Sequence, residues 1–261
     1  MFVIDVPFFN LDQIYNSKQV PRWIKLNDSK YIIAHGNKSL KVEQVKERLI
    51  MSCTEDDFFN IWFEYFDLRT DYSEVNRRIK SYSRKFVAPS NRGSGIHIIN
   101  QEPFETYVLC KLAQYVGWEK AKQLMIAIAE KYGIKHVQAM REAGKQTWYE
   151  WPSPESLLEQ LEKEDSNKSK AIRFLKKLCN AIVYDDYAYT HNGNDAFNLL
   201  YRHDMNTFPI LGIEQTIEKN FKCDAEWFEA EHISDMKYKG VAYMYILHHT
   251  MNPPKEVQRW V

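Results

Sequence analysis

The chain has 261 residues, 44% of them hydrophobic and 14% aromatic, and its 35 Lys and Arg are balanced by 35 Asp and Glu. That is enough apolar material for a sizeable core, in one large domain or two small ones, and the zero net charge argues neither for nor against nucleic acid. No apolar run is long enough to span a bilayer and Met1 to Pro7 is too short for a signal peptide, so a cytoplasmic protein without membrane association is expected.

Residues 1–90 read as strands and turns ahead of a helix. Phe2 to Ile4, Trp23 to Leu26, Tyr31 to His35 and Leu40 to Val45 are short β-branched or aromatic runs, separated by turn formers such as Asn27-Asp28-Ser29 and Gly36-Asn37. Thr54 followed by Asp57 resembles a capping box at the start of a helix over Phe58 to Phe66. An antiparallel sheet with one helical cover is the economical reading.

From about residue 95 helical patterns dominate. Gly95 to Ile99 is extended, and Pro103 opens a helix in which Phe104, Tyr107, Val108, Leu112 and Tyr115 recur at three- and four-residue spacing. Ala121, Leu124, Met125, Ile128 and Ala129 do the same in a second helix that stops at Gly133. Trp151-Pro-Ser-Pro154 is a turn before a helix over Glu155 to Leu161. Lys170 to Val183 is a basic amphipathic helix with Ile172, Leu175, Leu178, Cys179 and Ile182 inward. Cys53, Cys110, Cys179 and Cys223 are widely spaced and are expected to be reduced and buried, with no metal and no cofactor.

Charge is unevenly spread. Arg77 to Arg92 carries six Lys or Arg and no acid, and Ser166 to Lys177 carries five, while Asp224 to Asp235 gathers five acids. A run of this kind is commonly a solvated surface, but it also provides a basic face for phosphates. Lys120, Lys168, Lys170, Arg173 and Lys176 are the candidate DNA contacts.

The stretch Arg92 to Gly133, with its Ile-rich segment and Gln-x-Pro-x-Glu-Thr opening a helix, resembles the core of the 8-oxoguanine DNA glycosylase branch of the helix-hairpin-helix glycosylases. Four further segments in the same order carry the likeness: Phe9 to Trp23, Phe58 to Leu68, Phe208 to Phe221 and Tyr238 to His249. The resemblance implies an α+β protein in which an N-terminal antiparallel β-sheet domain (1–92) packs on a mostly α-helical domain (93–261), and a monomer whose partner is double-stranded DNA carrying a modified base.

It also implies where the chemistry should be. In that family a lysine amine attacks the anomeric carbon and an aspartate stabilises the cationic sugar, beside a Gly-x-Gly hairpin that grips a phosphate. Here the lysine's place holds Asn192, the aspartate's place holds Leu211, and the hairpin glycines fall on Ala188 and Thr190; Asp195 matches an aspartate that follows the lysine. The loop that fills the gap left by a flipped base reads Gln114 to Gly117, and the pocket-facing glycine is Lys18. Positions that contact the base fall on Tyr243 and Leu247. Lys18, Tyr115, Leu211, Tyr243 and Leu247 thus form the expected base pocket.

Asp186 and His191 are a candidate acid and base pair, with Asn192 and Asp195 as the other catalytic candidates. Taken singly, Asp195 reads as a helix N-cap and His248-His249 as the surface end of a helix. The expectation is a DNA-binding, base-flipping protein on a glycosylase-like scaffold without the usual Lys/Asp couple. The alternatives are a phage-type hypermodification transferase acting on a thymine 5-substituent, a non-catalytic binder of DNA or protein, and an N-glycosylase with relocated catalytic residues.

Overall fold

A computed structural model describes residues 1–140, 144–164, 169–184, 217–218, 221–232 and 235–251. The first layer is a five-stranded antiparallel sheet of order β1-β5-β4-β3-β2, built from β1 (Phe2–Asp5), β2 (Ile24–Lys25), β3 (Lys30–His35), β4 (Lys38–Val45) and β5 (Arg48–Met51). The strand β5 and the short helix α1 (Leu11–Tyr15) were not expected from sequence. Arg48–Met51 is too short for its alternation to stand out, and it becomes a strand by pairing with both β1 and β4.

Thr54 caps the covering helix as its sequence suggests, its hydroxyl accepting from the Asp57 N–H at 3.0 Å. That helix runs from α2 (Glu55–Asp57) through a π-helical stretch (Phe58–Trp62) into α3 (Phe63–Tyr65), burying Phe58, Trp62 and Tyr65 against the sheet. The resulting core reaches from Val6 to Phe66 and takes in Ile99.

A second core forms from segments far apart in the chain. Helices α4 (Tyr72–Tyr82) and α5 (Val87–Arg92), with the 3-10 turn Arg84–Phe86 between them, bury Tyr72, Val75, Ile79 and Phe86 against α10 (Ala225–His232) and α11 (Lys239–Met251). Asp71 caps α4 through the N–H groups of Ser73 and Glu74. Gly93 is needed where α5 meets α11, because a Cβ there would lie 2.6 Å from Cδ1 of Tyr245.

The third core joins α6 (Pro103–Val116), α7 (Trp118–Tyr132), α8 (Pro154–Glu162) and α9 (Lys170–Tyr184). Pro103 stands in the first turn of α6 and Gly133 follows α7, as expected. Leu175, Leu178 and Cys179 are buried, with Ile172 and Ile182 partly so. Cys53 and Cys110 are buried as well, and Cys223 is half-buried.

Three expectations are corrected. Gly95 to Ile99 is not one extended segment: Gly95 lies in a turn, with the Ile96 N–H donating to the Gly93 carbonyl at 2.9 Å, while the N–H groups of Gly95 and Ile99 donate to the side chains of Gln13 and Gln19. Between α7 and α8 lies a β-hairpin, β6 (Ile134–Met140) with β7 (Gly144–Glu150), where helix was expected to dominate. Its β6 strand is exposed along most of its length and so lacks an apolar alternation, while β7 packs on β3. Tyr115 does not point inward with the rest of its helix stripe but is 61% exposed. Among the described residues no helix is long and apolar enough to cross a membrane.

Candidate nucleic-acid interface

The segment Ser17 to Trp23 is fixed where the sheet meets the helices. Gln19 donates to the His97 carbonyl at 3.0 Å and accepts from the Ile99 N–H at 3.0 Å, and Gln101 donates to the Gln19 carbonyl at 2.7 Å. Arg22 makes a forked ion pair with Glu105 of α6, 2.5 and 2.7 Å, and donates to the Tyr149 carbonyl of β7 at 2.7 Å. One side chain thereby ties the N-terminal segment, the central helix and the hairpin together.

Within this segment Lys18 has φ +64°, the left-handed region in which a β-carbon is crowded and glycine is favoured. The resemblance placed a glycine of the family at this position, and the backbone keeps the glycine conformation although the side chain is now lysine. Lys18→Gly is expected to stabilise the fold modestly, by about 0.5–1 kcal/mol, since strain relief exceeds the added freedom of the unfolded chain. Urea unfolding of the two proteins checks this, and a less stable glycine variant would contradict it.

On α11, Tyr243 is half-buried and Leu247 buried, four residues apart and on one face. His248 is also buried, which corrects its reading as a surface helix end; His249 is half-buried. Burial lowers the His248 pKa, as does the charge of Arg92, against an opposing pull from Asp12. The end of α11 is therefore within electrostatic reach of α1. Asp12 itself is pushed up by burial, but hydrogen bonds from Lys25 (2.6 Å) and Tyr31 (2.7 Å) outweigh that and hold it below the usual range.

Tyr115, at the last turn of α6, stacks on Phe174 of α9 with ring centroids 5.4 Å apart and planes 13° from parallel. Tyr107, Cys110 and Leu178, with Phe174 and Ile182, join the two helices beneath it. Trp118 is only half-buried, at the edge of the third core. Lys120, Lys170 and Arg173 are exposed, whereas Lys176 is half-buried and donates to the Glu164 carbonyl at 3.1 Å. That contact turns Lys176 away from the role of a free phosphate ligand. The Arg77 to Arg92 run is partly neutralised too: Arg77 and Arg78 both pair with Glu74, one turn upstream. Lys85 lies over the rings of Phe221, Trp227 and Phe228, at 5.9, 5.3 and 5.2 Å.

Lys168, Asp186, His191, Asn192, Asp195 and Leu211, and with them the expected hairpin, lie outside the described residues. Among the described residues no three His, Cys, Asp or Glu side chains are grouped to hold a metal ion. Sequence reasoning missed Arg22 and Phe174. The pair Arg22 and Glu105 is separated by 83 positions and no local signal links them, while Phe174 reads as one more apolar residue of an amphipathic helix.

The described residues join a small antiparallel sheet to a helical array, with Tyr115 of α6 and Lys170 and Arg173 of α9 exposed. Residues 1–107 match the family described as 8-oxoguanine DNA glycosylase, N-terminal domain. The chain is similar in structure to the Clostridium acetobutylicum 8-oxoguanine glycosylase/lyase in its apo-form, with a TM-score of 0.75 at 20% identity over 94% of this chain and 95% of that one. It is similar to MBOgg1 in complex with a low-affinity DNA ligand, with a TM-score of 0.74 at 20% identity over 95% of each chain. The 3-methyladenine DNA glycosylase of Archaeoglobus fulgidus is more distant, with a TM-score of 0.64 at 13% identity over 97% of this chain and 100% of that one. No curated protein matches. The chain thus has an N-terminal domain of the 8-oxoguanine DNA glycosylase type and the overall fold of those enzymes.

Proposed function

We propose that this protein binds double-stranded DNA and flips a nucleotide, recognising or acting on a modified base without the lysine and aspartate of the conventional glycosylases. The observation that carries the reading is the α6–α9 face. An exposed tyrosine stacked on Phe174, with Lys170 and Arg173 exposed on the same helix as Phe174, suits an aromatic and phosphate contact. The fold supports it, as does the likeness to the Clostridium acetobutylicum 8-oxoguanine glycosylase/lyase in complex with double-stranded DNA containing cytosine opposite 8-oxoG, 19% identical with a TM-score of 0.73 over 96% of this chain and 98% of that one.

The replacement of the nucleophile by Asn192 and of the carboxylate by Leu211 argues against attack on the sugar. An amide is no nucleophile at neutral pH, and an apolar side chain cannot stabilise a developing cation. Flipping needs a pocket and a deformable duplex and depends on neither group.

Duplexes carrying 8-oxoguanine, uracil or a modified thymine test this. Salt-dependent binding is expected, with no strand scission and no borohydride-trapped adduct; a change in base mass without scission would mark an exchanged reaction. Scission with trapping would overturn the proposal. Replacing Lys170 and Arg173 together by Glu should lower affinity by about tenfold or more on every sequence, with a shallower salt dependence. An unchanged affinity would remove α9 from the interface.

A further inference from the structure

We infer that the cavity between the outer face of the sheet, α7 and the β6–β7 hairpin binds a small neutral cyclic amide, a six-membered ring with C=O and N–H side by side. The site is separate from the α6–α9 face and does not depend on the DNA reading.

Its walls follow from strand alternation. Tyr31 and Ile33 of β3 belong to the first core, so Ile32 and Ala34 fall on the opposite face, and Ile24 of β2, the register partner of Ile32, joins them. On β7 the same alternation puts Gln146 and Trp148 on one face, and β7 packs on β3. Ser39 of β4 donates to Gln138, the register partner of Gln146, at 3.2 Å, so this face of the hairpin is turned to the sheet. Between the two, with Ile126 of α7 completing the wall, lies a cavity of about 150 Å³. That is room for one six-membered ring between largely apolar surfaces.

The polar groups about this cavity are short of partners. Trp148 lines it, with His136 stacked against its ring at 5.3 Å, and the buried indole N–H of Trp148 has no acceptor among the described residues. Gln146, two residues away on the same strand face and 8% exposed, has neither its amide N–H groups nor its carbonyl bonded among those residues. Arg22, also in the wall, uses three of its five N–H groups on Glu105 and Tyr149. Buried polar groups without partners are costly and few in native proteins, and here they gather about one opening.

Their chemistry names the occupant. Indole and guanidinium N–H groups only donate, so the ligand must present an acceptor. A glutamine carboxamide donates and accepts together, and its full match is an amide held cis, whose neighbouring C=O and N–H make two parallel hydrogen bonds. A small ring enforces that cis arrangement. Glu130, exposed in the wall, disfavours an anion, while the Arg22 guanidinium and the apolar walls disfavour a cation.

The test adds δ-valerolactam to the isotope-labelled full chain and follows the indole N–H resonances of its seven tryptophans. The resonance absent from Trp148→Phe is expected to shift and to saturate with a midpoint below about 1 mM. Gln146→Leu should weaken binding about tenfold while raising the urea midpoint of the free protein, because it removes an unpaired amide; a purely structural glutamine would not move the two in opposite directions. Ala34→Leu, filling the cavity from the sheet side, should abolish the shift. N-methyl-δ-valerolactam, which lacks the N–H, should bind at least about tenfold more weakly. A Trp148 resonance that stays still at about ten times the expected midpoint would overturn the inference. So would equal binding of the N-methyl compound, which would leave an apolar ring site only, or an unchanged affinity in Gln146→Leu.

Discussion

Replacing Glu105 by Ala is expected to destabilise the protein by about 3–5 kcal/mol, more than a surface ion pair could account for. The Arg22 and Glu105 side chains are only 11% and 9% exposed, and their forked contact is the main polar link between the segment carrying Lys18 and helix α6. Burial alone would lower the Arg22 pKa, but the Glu105 carboxylate outweighs it and holds the pKa above the usual value. Removing the carboxylate leaves a guanidinium away from water whose remaining hydrogen bond is to the Tyr149 carbonyl, with the Trp151 ring at 5.8 Å and Glu102 as the remaining nearby carboxyl. The double replacement Arg22→Met with Glu105→Leu should recover most of the loss, since a pair of apolar groups of similar volume needs no compensation. Urea midpoints of the two variants decide the matter. If Glu105→Ala costs less than about 1 kcal/mol, the pair is not the clamp described.

Stability should also fall as pH drops from about 6.5 to about 4, because of His97. Its ring is stacked on Tyr72 at 3.7 Å, and its two nitrogens each lie 3.0 Å from a carbonyl oxygen, of Phe66 and of Phe8. Burial pushes the pKa down; the two carbonyls, which would welcome a second N–H, pull it up and lose, leaving it at about 4. The folded ring is therefore neutral where the unfolded ring, with a pKa near 6.5, already takes a proton. Acid favours the unfolded state through that window, and the stabilisation present above it is lost by about pH 4. At about 1.4 kcal/mol per pKa unit the loss is on the order of 3 kcal/mol.

The buried or half-buried His35 and His248 are shifted in the same direction, chiefly by burial, and add to the slope. The difference between the wild type and His97→Asn isolates the share of His97. Unfolding free energies measured at several pH values should show a smaller decline in the variant, and parallel declines would contradict the assignment.

Neither of these sites is legible in the chain alone, since Glu105 lies 83 positions from Arg22, and Phe66 and Phe8 lie 31 and 89 from His97. The punctuation of helices was legible wherever it is settled within a few residues: Thr54 with Asp57, Pro103 at the head of α6, Gly133 after α7, and the apolar stripe of α9. So was the resemblance of the N-terminal segment, carried by the run Phe9 to Trp23. Caps and periodic faces are properties of one turn of backbone and the side chains on it, and such signals survive without knowledge of partners.

The remainder was decided by contacts across the chain. Arg48–Met51 becomes a strand because β1 and β4 flank it, and Tyr115 stays 61% exposed with the ring of Phe174 stacked against it. His248 is drawn inward because α11 packs between α5 and its own neighbours. Lys18 adopts a glycine conformation because Gln19 is held on both sides by the segment leading to α6. Burial and backbone strain depend on what lies opposite a residue, and here much of it comes from far along the chain: Asp5 of β1 pairs with Arg48 of β5, and Gln19 is bonded to His97 and Ile99, 78 and 80 positions on.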